Sequence, residues 1–299
     1  MFARRHPFIF SFLIVVIIII CFFAAAIFWG GRDSAFEFGD KVGVVEVKGV
    51  ITNAQQVVRE LKEFCKDESI KAIVLRIESP GGGVAPSQEI YGEVAKTVLV
   101  KKVVVSMGSV AASGGYYIAA AADHIIANPG TITGSIGVIM EFTNVEDVIK
   151  KIGLATEVIK SGPYKDIGSP LRKMTPEERI LLQRFIDNVH RQFIEAVAHG
   201  RKIDVEKIVS IADGRIFSGE QAKKLGLVDS LGGLEDAIAM AGKLGGIKGE
   251  PIVIYPKRKF SLLEYLLGQS VEGLLDTIFG TPFQQFGYLY TPFVYSPTN

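Results

Sequence analysis

Ser113 stands in VVVSMGSVAASGGYYIAAA, where an apolar run of strand character gives way to a helix-forming one. Its small neighbours Ala111, Ala112, Gly114 and Gly115 leave the hydroxyl sterically open. A serine at a helix start ordinarily caps that helix. The open flanks also suit a nucleophile, because an oxyanion formed there would face the helix N-terminus. The turn differs from a G-x-S-x-G elbow, since Ala111 stands where the first glycine belongs. Ser109 is a competing nucleophile, but Val110 and Met107 crowd it. A second turn, Ser79-Pro80-Gly81-Gly82-Gly83, follows another apolar run and frees backbone N–H groups to face a ligand. It has neither the Gly-Lys-Ser/Thr end of a phosphate loop nor the G-x-G-x-x-G of a dinucleotide site.

A serine nucleophile needs a base. Of the four histidines, His6 precedes a long apolar segment, and His190 and His199 flank the apolar stripe of a predicted helix. His124 opens a strand directly after Asp123, and no Ser/His/Asp set emerges. A lysine can also serve, provided apolar burial strips its ammonium of a proton. The candidate is Lys165 in SGPYKDIGSP, a loop punctuated by glycine and proline that can project one side chain inward. Residue types and spacing alone leave it open between that role and a solvated surface group.

These residues need a scaffold, and the chain offers alternating strands and helices. Strands are expected at Lys41–Ile51, Lys71–Glu78, Lys102–Met107 and His124–Ala127. Helices are expected at Ala54–Lys66, near Pro86–Val98 and from Ser113. Such alternation builds a parallel sheet covered by helices, an α/β fold with ligands beyond the carboxyl ends of the strands. The second half is more helical. Thr175-Pro176-Glu177-Glu178 reads as a capping box, and Leu182, Phe185, Ile186, Val189, Phe193 and Val197 follow at helical spacing as a buried stripe. Ser218 with Gln221 caps another helix, and Leu234–Leu244 forms a further one.

Charge and composition exclude other classes. Lys+Arg number 33 against 32 Asp+Glu, so no basic excess is available to bind nucleic acid. At 48% hydrophobic and 22% charged, the chain is not mainly disordered. Two cysteines, Cys21 and Cys65, cannot make a disulfide framework or a zinc cage; Cys65 reads as a core position, and neither metal nor cofactor is expected.

Pro7–Trp29 carries no charge and, at about 1.5 Å per residue, is long enough to cross a hydrocarbon core of about 30 Å. Arg4 and Arg5 place the N-terminus in the cytoplasm and the main domain outside, as a single-pass protein of the cell membrane. A cleaved signal peptide ending near Ala24-Ala25-Ala26 is the rival reading. The expected organisation is a cytoplasmic N-terminus over 1–6, an anchor over 7–29, a stalk over 30–40, a main domain over 41–255 and an extension over 256–299. The extension ends in TPFQQFGYLYTPFVYSPTN, uncharged and rich in aromatics and proline, which either packs along the domain or a neighbouring subunit or lies in a groove made for extended apolar peptides.

Five motifs occur in order: SPGGGV, SMGSVAASGGYYIA, TITGSIGVI, KSGPYKDIGSP, and IADGRIFSG with QAKKLGLVD. Together they resemble the short form of the signal peptide peptidase A family, across nearly the whole main domain. The resemblance implies the Clp protease/crotonase fold, a repeated ββα superhelix with helices packed on the sheets. It implies a Ser–Lys dyad serine protease with nucleophile Ser113 and general base Lys165. Ser135 in TGSIG would hold the lysine, and the N–H groups of Gly82 and Gly114 would form the oxyanion hole. Also implied are leftover signal peptides as hydrophobic substrates, and a homo-oligomeric ring of about eight subunits in which adjacent protomers supply serine and lysine. The alternatives are a crotonase-type acyl-CoA protein, which would need neither dyad nor anchor, and a membrane scaffold without catalysis.

Overall fold

The computed structural model describes Phe8, residues 14–22 and 39–256, and the backbone of residues 285–289. The chain divides into two units, residues 1–39 and 40–299. In the first, residues 14–22 are helical. Among the described residues no helix is long and apolar enough to cross a membrane. The anchor expected over 7–29 and the stalk over 30–40 lie for the most part outside the described residues, as does most of the 256–299 extension.

The second unit is built on runs of valine and isoleucine. β1 (Lys41–Lys48), β2 (Ile70–Ser79), β4 (Lys102–Ala112) and β5 (His124–Ala127) lie side by side and parallel. β9 (Ser230–Leu231) extends one edge and β10 (Ile252–Ile254) the other, also in parallel. Branched side chains cover both faces of this sheet, as a parallel sheet requires. Val42, Val44, Val74, Val104 and Ile126 face α8 (Leu234–Leu244) through Ala237, Ile238 and Ala241. Val45, Val47, Leu75, Ile77, Val103 and Val105 face the other way, into the larger core. That core is completed by α1 (Gln55–Lys66), α2 (Val84–Thr97), α3 (Gly114–Ala119) and α5 (Pro176–Arg201). The result is a mixed α/β fold with helices on both faces of the sheet.

Shorter pieces surround the sheet. β3 (Gly81–Gly83) follows β2, and β6 (Ile132–Gly134) pairs parallel with the end of β4. β7 (Ile139–Glu141) and α4 (Glu146–Lys151) lead into the segment that carries Lys165. β8 (Ile216–Ser218) pairs antiparallel with β6, between the short helices α6 (Val205–Val209) and α7 (Gly219–Lys224). In the C-terminal extension, β11 (Gln285–Leu289) lies antiparallel between β3 and β7.

Both expected capping boxes form, Thr175 with Glu178 at α5 and Ser218 with Gln221 at α7. Two expectations need correction. The apolar stripe of α5 is buried only at Val189, Phe193 and Val197; Leu182 and Ile186 are half-buried and Phe185 is exposed. The reason is that the N-terminal half of α5 reaches beyond the core and borders a cavity of about 730 Å³. Cys65 is half-buried rather than a core residue.

The aromatic contacts of α3 tie the sheet to α5. Tyr117 stacks edge-on against Phe193 with ring centroids 4.9 Å apart, and the Tyr91 ring lies 5.0 Å from that of Tyr117. Replacing Phe193 by alanine is expected to destabilise the domain by about 3–5 kcal/mol, the usual cost of emptying a buried aromatic site. Chemical denaturation of the two proteins measures it.

Candidate active site

Three strands end together. Ser79 of β2 is opposite Ala111 of β4, which is opposite Thr133 of β6; Ala112 is opposite Gly134. The residue after each of the last two is a serine, so the register sets Ser113 beside Ser135. Both have positive φ, 53° and 52°. This left-handed backbone is uncommon outside glycine and costs about 1–3 kcal/mol where it is imposed. Hydrogen bonds hold it: the Ser113 N–H donates to the Gly134 carbonyl at 2.8 Å, and the Ser135 N–H donates to the Arg215 carbonyl at 2.8 Å.

Ser113 occupies the cap position of α3, yet its side chain makes no cap bond. The capping account of this serine therefore does not hold. Its residue is 1% exposed. Gly114 opens the helix, so its N–H has no partner within the helix. α3 itself is anchored by Tyr116, whose hydroxyl donates to the Leu227 carbonyl at 2.9 Å in full burial. Burial pushes the Tyr116 phenol well above its ordinary range, so it stays a neutral donor.

The Ser79–Gly83 turn packs against the same helix. A Cβ on Gly115 would lie 3.1 Å from the Ser79 carbonyl oxygen, so glycine permits the close approach of α3 to this turn. A Cβ on Gly82 would lie 2.3 Å from the Ile51 oxygen, which excludes any side chain there. Ile51 donates to the Gly81 carbonyl and accepts from the Gly83 N–H. Strand alternation then turns the N–H of Gly82 to the opposite edge, where Tyr288 of β11 is its register partner.

One residue in this region escaped the sequence reading. Between Ile77 and Ser79, β2 advances two residues while β4 advances from Met107 to Ala111. The extra residues wrap around Glu78, whose carboxylate accepts from the N–H groups of Ser109 at 2.9 Å and Val110 at 3.2 Å. A Cβ on Gly108 would collide with that carboxylate. Thr131 and Thr133 add hydroxyl donations to the carbonyls of Gly108 and Ala111, each at 2.7 Å. The one signal in the sequence was the lone acid of the strand, Glu78, next to its end. Ser109, the competing nucleophile, has its N–H committed to this clamp.

The histidines are engaged elsewhere. His124 meets Ser230 at 2.9 Å and Asp229 at 4.0 Å, and His190 donates through Nε2 to the Ile136 carbonyl at 3.3 Å. His199 is exposed. Lys165 is also exposed, on the segment between α4 and α5; its N–H donates to the Gly162 carbonyl at 3.2 Å. Among the described residues its ammonium makes no hydrogen bond or ion pair. The fold thus brings together Ser113, Gly114, Ser135 and the Gly82 turn, and leaves Lys165 on the surface of the single chain. Among the described residues no group of three or more His, Cys, Asp or Glu side chains could hold a metal ion.

A buried serine in forced backbone geometry, beside glycine N–H groups, is a setting for acyl transfer. The family model of peptidase family S49 matches residues 96–248, and that of Clp protease matches residues 44–132. The chain belongs to peptidase family S49. It is 47% identical over 214 residues to a protease-named protein of Synechocystis sp., covering 71% of this chain and 77% of that one. It is 35% identical over 250 residues to a protein of Enterococcus faecium named signal peptide peptidase SppA, covering 80% and 72%. It is 34% identical over 263 residues to the chloroplastic serine protease SPPA of Arabidopsis thaliana, covering 84% and 39%. As an S49 member the chain is a serine protease of the signal peptide peptidase A family, and the Clp match agrees with its mixed α/β sheet.

Glu78→Ala in this S49 protease leaves two backbone donors without their acceptor at the bend that leads to Ser113. It is expected to lower kcat about tenfold through displacement of the serine, with thermal unfolding shifted downward. Steady-state kinetics and a melt on the same preparation check both.

Proposed function

We propose that the protein is a membrane-anchored endopeptidase that cleaves hydrophobic peptides, remnant signal peptides among them, through a Ser113/Lys165 dyad. The observation that carries this reading is the uncapped hydroxyl of Ser113 on left-handed backbone, set beside Ser135. The neutral amine of Lys165 takes the Ser113 proton as Oγ attacks the peptide carbonyl. The N–H groups of Gly82 and Gly114 donate to the oxyanion, each worth about 10²–10³ in kcat in comparable sites. The ammonium of Lys165 then protonates the departing amine, and water hydrolyses the acyl-enzyme. Ser135 orients the lysine.

A lysine acts as a base only where burial removes its proton. Exposure of Lys165 in the single chain supports a neighbouring copy as the source of that burial, in a ring of about eight subunits. In this reading the strand and helix order belongs to the repeated ββα superhelix of the Clp protease/crotonase fold, and the 7–29 segment keeps the domain at the cell membrane with its N-terminus in the cytoplasm. No cofactor takes part.

Peptide would add as a strand along the edge formed by β3 and β7. The chain's own β11 in that position supports an edge that accepts extended backbone and faces the Gly82 N–H. The cavity beside β7, lined by Met140, Phe142, Leu182 and Ile186 among others, supports a preference for apolar side chains.

Two measurements test this. A serine-reactive phosphonate is expected to label Ser113 in the full chain, and to fail after Lys165→Ala; absence of any adduct on a verified oligomer, with no cleavage of hydrophobic peptides, would leave the non-catalytic scaffold. A synthetic peptide of residues 281–299 is expected to inhibit turnover competitively. Purely non-competitive behaviour, or none, would remove the tail from the substrate edge.

A further inference from the structure

The segment that carries Lys165 has no regular secondary structure, yet it is fastened: Pro170 accepts from the Val145 N–H at 2.7 Å, the Lys173 N–H donates to Glu146 at 3.1 Å, and a charged group ties its middle to α5. Arg172 reaches back to Asp166, the residue next to Lys165, through Nε to Oδ2 at 2.8 Å and Nη2 to Oδ1 at 2.9 Å. Its Nη2 also donates to the Asp166 carbonyl at 3.3 Å. On its other side the same guanidinium meets Glu178, with Nη1 donating to Oε2 at 2.8 Å and Nη2 to Oε1. Glu178 is 2% exposed and is itself fixed, accepting from the Thr175 N–H at 2.9 Å as part of the α5 capping box. Lys160 closes the group, donating to Asp166 at 2.6 Å and to the Pro163 carbonyl at 3.0 Å.

Two carboxylates and two cations therefore compensate one another around one planar fork. Arginine suits the place because its guanidinium pairs with a carboxylate on each side at once, which an ammonium cannot do. The pairing holds the Glu178 carboxyl down to about 2, chiefly through Arg172, and Asp166 well below the usual carboxylate range, chiefly through Arg172 and Lys160. Both stay ionised throughout the neutral range. The chain from Asp166 to α5 is then a rigid bracket, and Lys165 is the side chain at its end. Turn bonds from the Ile167 N–H to the Tyr164 carbonyl and from Ser169 to Asp166 shape the rest.

We infer that Arg172 is a positioning residue for the reaction: bound to Asp166 and Glu178, it sets the loop so that Lys165 is presented in one fixed orientation. This rests on the reading of Lys165 as the general base. A loop preset in this way gives up little conformational freedom when the lysine is brought against a serine, and misplacement by about 1 Å costs on the order of a hundredfold in rate. The guanidinium borders the cavity beside β7 but is spent on Asp166 and Glu178, so its loss acts chiefly on turnover.

The test uses full-length Arg172→Ala and Arg172→Lys proteins in the assembled state. Arg172→Ala is expected to lower kcat about tenfold to a hundredfold with KM within about twofold, and added guanidinium ion is expected to restore much of that kcat. Arg172→Lys, which keeps the charge and loses the fork, is expected to fall between the two. Lys165→Ala, run alongside, is expected to lose turnover without rescue by guanidinium. Unchanged kcat in both Arg172 variants with Lys165→Ala inactive would overturn the positioning role alone. An active Lys165→Ala protein would instead overturn the dyad. Should Arg172→Ala unfold, wild-type kcat in a folded Arg172→Lys protein would by itself overturn the inference.

Discussion

The left-handed backbone at Ser113 is a strained state that only its surroundings maintain, and the centre of the domain is arranged around maintaining it. Left free, a serine at φ 53° would turn over to the negative φ that L-residues favour. Here relaxation would break the N–H bond to Gly134 behind it and the bond from the Tyr117 N–H to its own carbonyl ahead. It would also drag on α3, which Tyr116 and Tyr117 hold to Leu227 and Phe193. The strain is small beside the packing that opposes it. What results is a hydroxyl withdrawn from its natural capping bond and free to act on something else.

Precision is obtained differently on the two sides of the reaction centre. On the serine side it comes from backbone ladders: β2, β4 and β6 end in register, and Glu78, Thr131 and Thr133 pin the irregular stretch of β4. On the lysine side there is no ladder, and charged side chains do the same work, with Arg172 between Asp166 and Glu178. Strands keep a position within the core, whereas a bracket of charges can hold a shape while standing clear of it. That difference suits the proposed role of Lys165, whose partner in that reading lies in another copy of the chain.

The sheet was legible in the sequence because runs such as KAIVLRIE and KKVVVSM have one physical fate, burial on both faces. The capping boxes at Thr175 and Ser218 were legible because two short-range bonds decide them. Ser113 stood out through its small neighbours. The extent of β4 was not legible: after Met107 the residues Gly-Ser-Val-Ala-Ala have no strand pattern, and they are held by β6 and by Glu78, both distant in sequence. The stripe of α5 misled for a related reason, since periodicity shows which face is apolar and not how far the core extends beneath it. The pairing of β11 with β3 and β7 joins segments far apart in the chain, and no local pattern encodes such a match.

The order of strands has a consequence for how the molecule is made. β1, the first strand among the described residues, finds its outer neighbour in β10, residues 252–254. Until that late segment is synthesised, one flank of β1 stands open, a row of unmet N–H and C=O groups of the kind that invites pairing with another chain. Contacts between residues so far apart are slow to form and costly in chain entropy. The domain is therefore sealed from its C-terminal end, and a chain broken off after α8 would retain both Ser113 and Lys165 while exposing an adhesive edge.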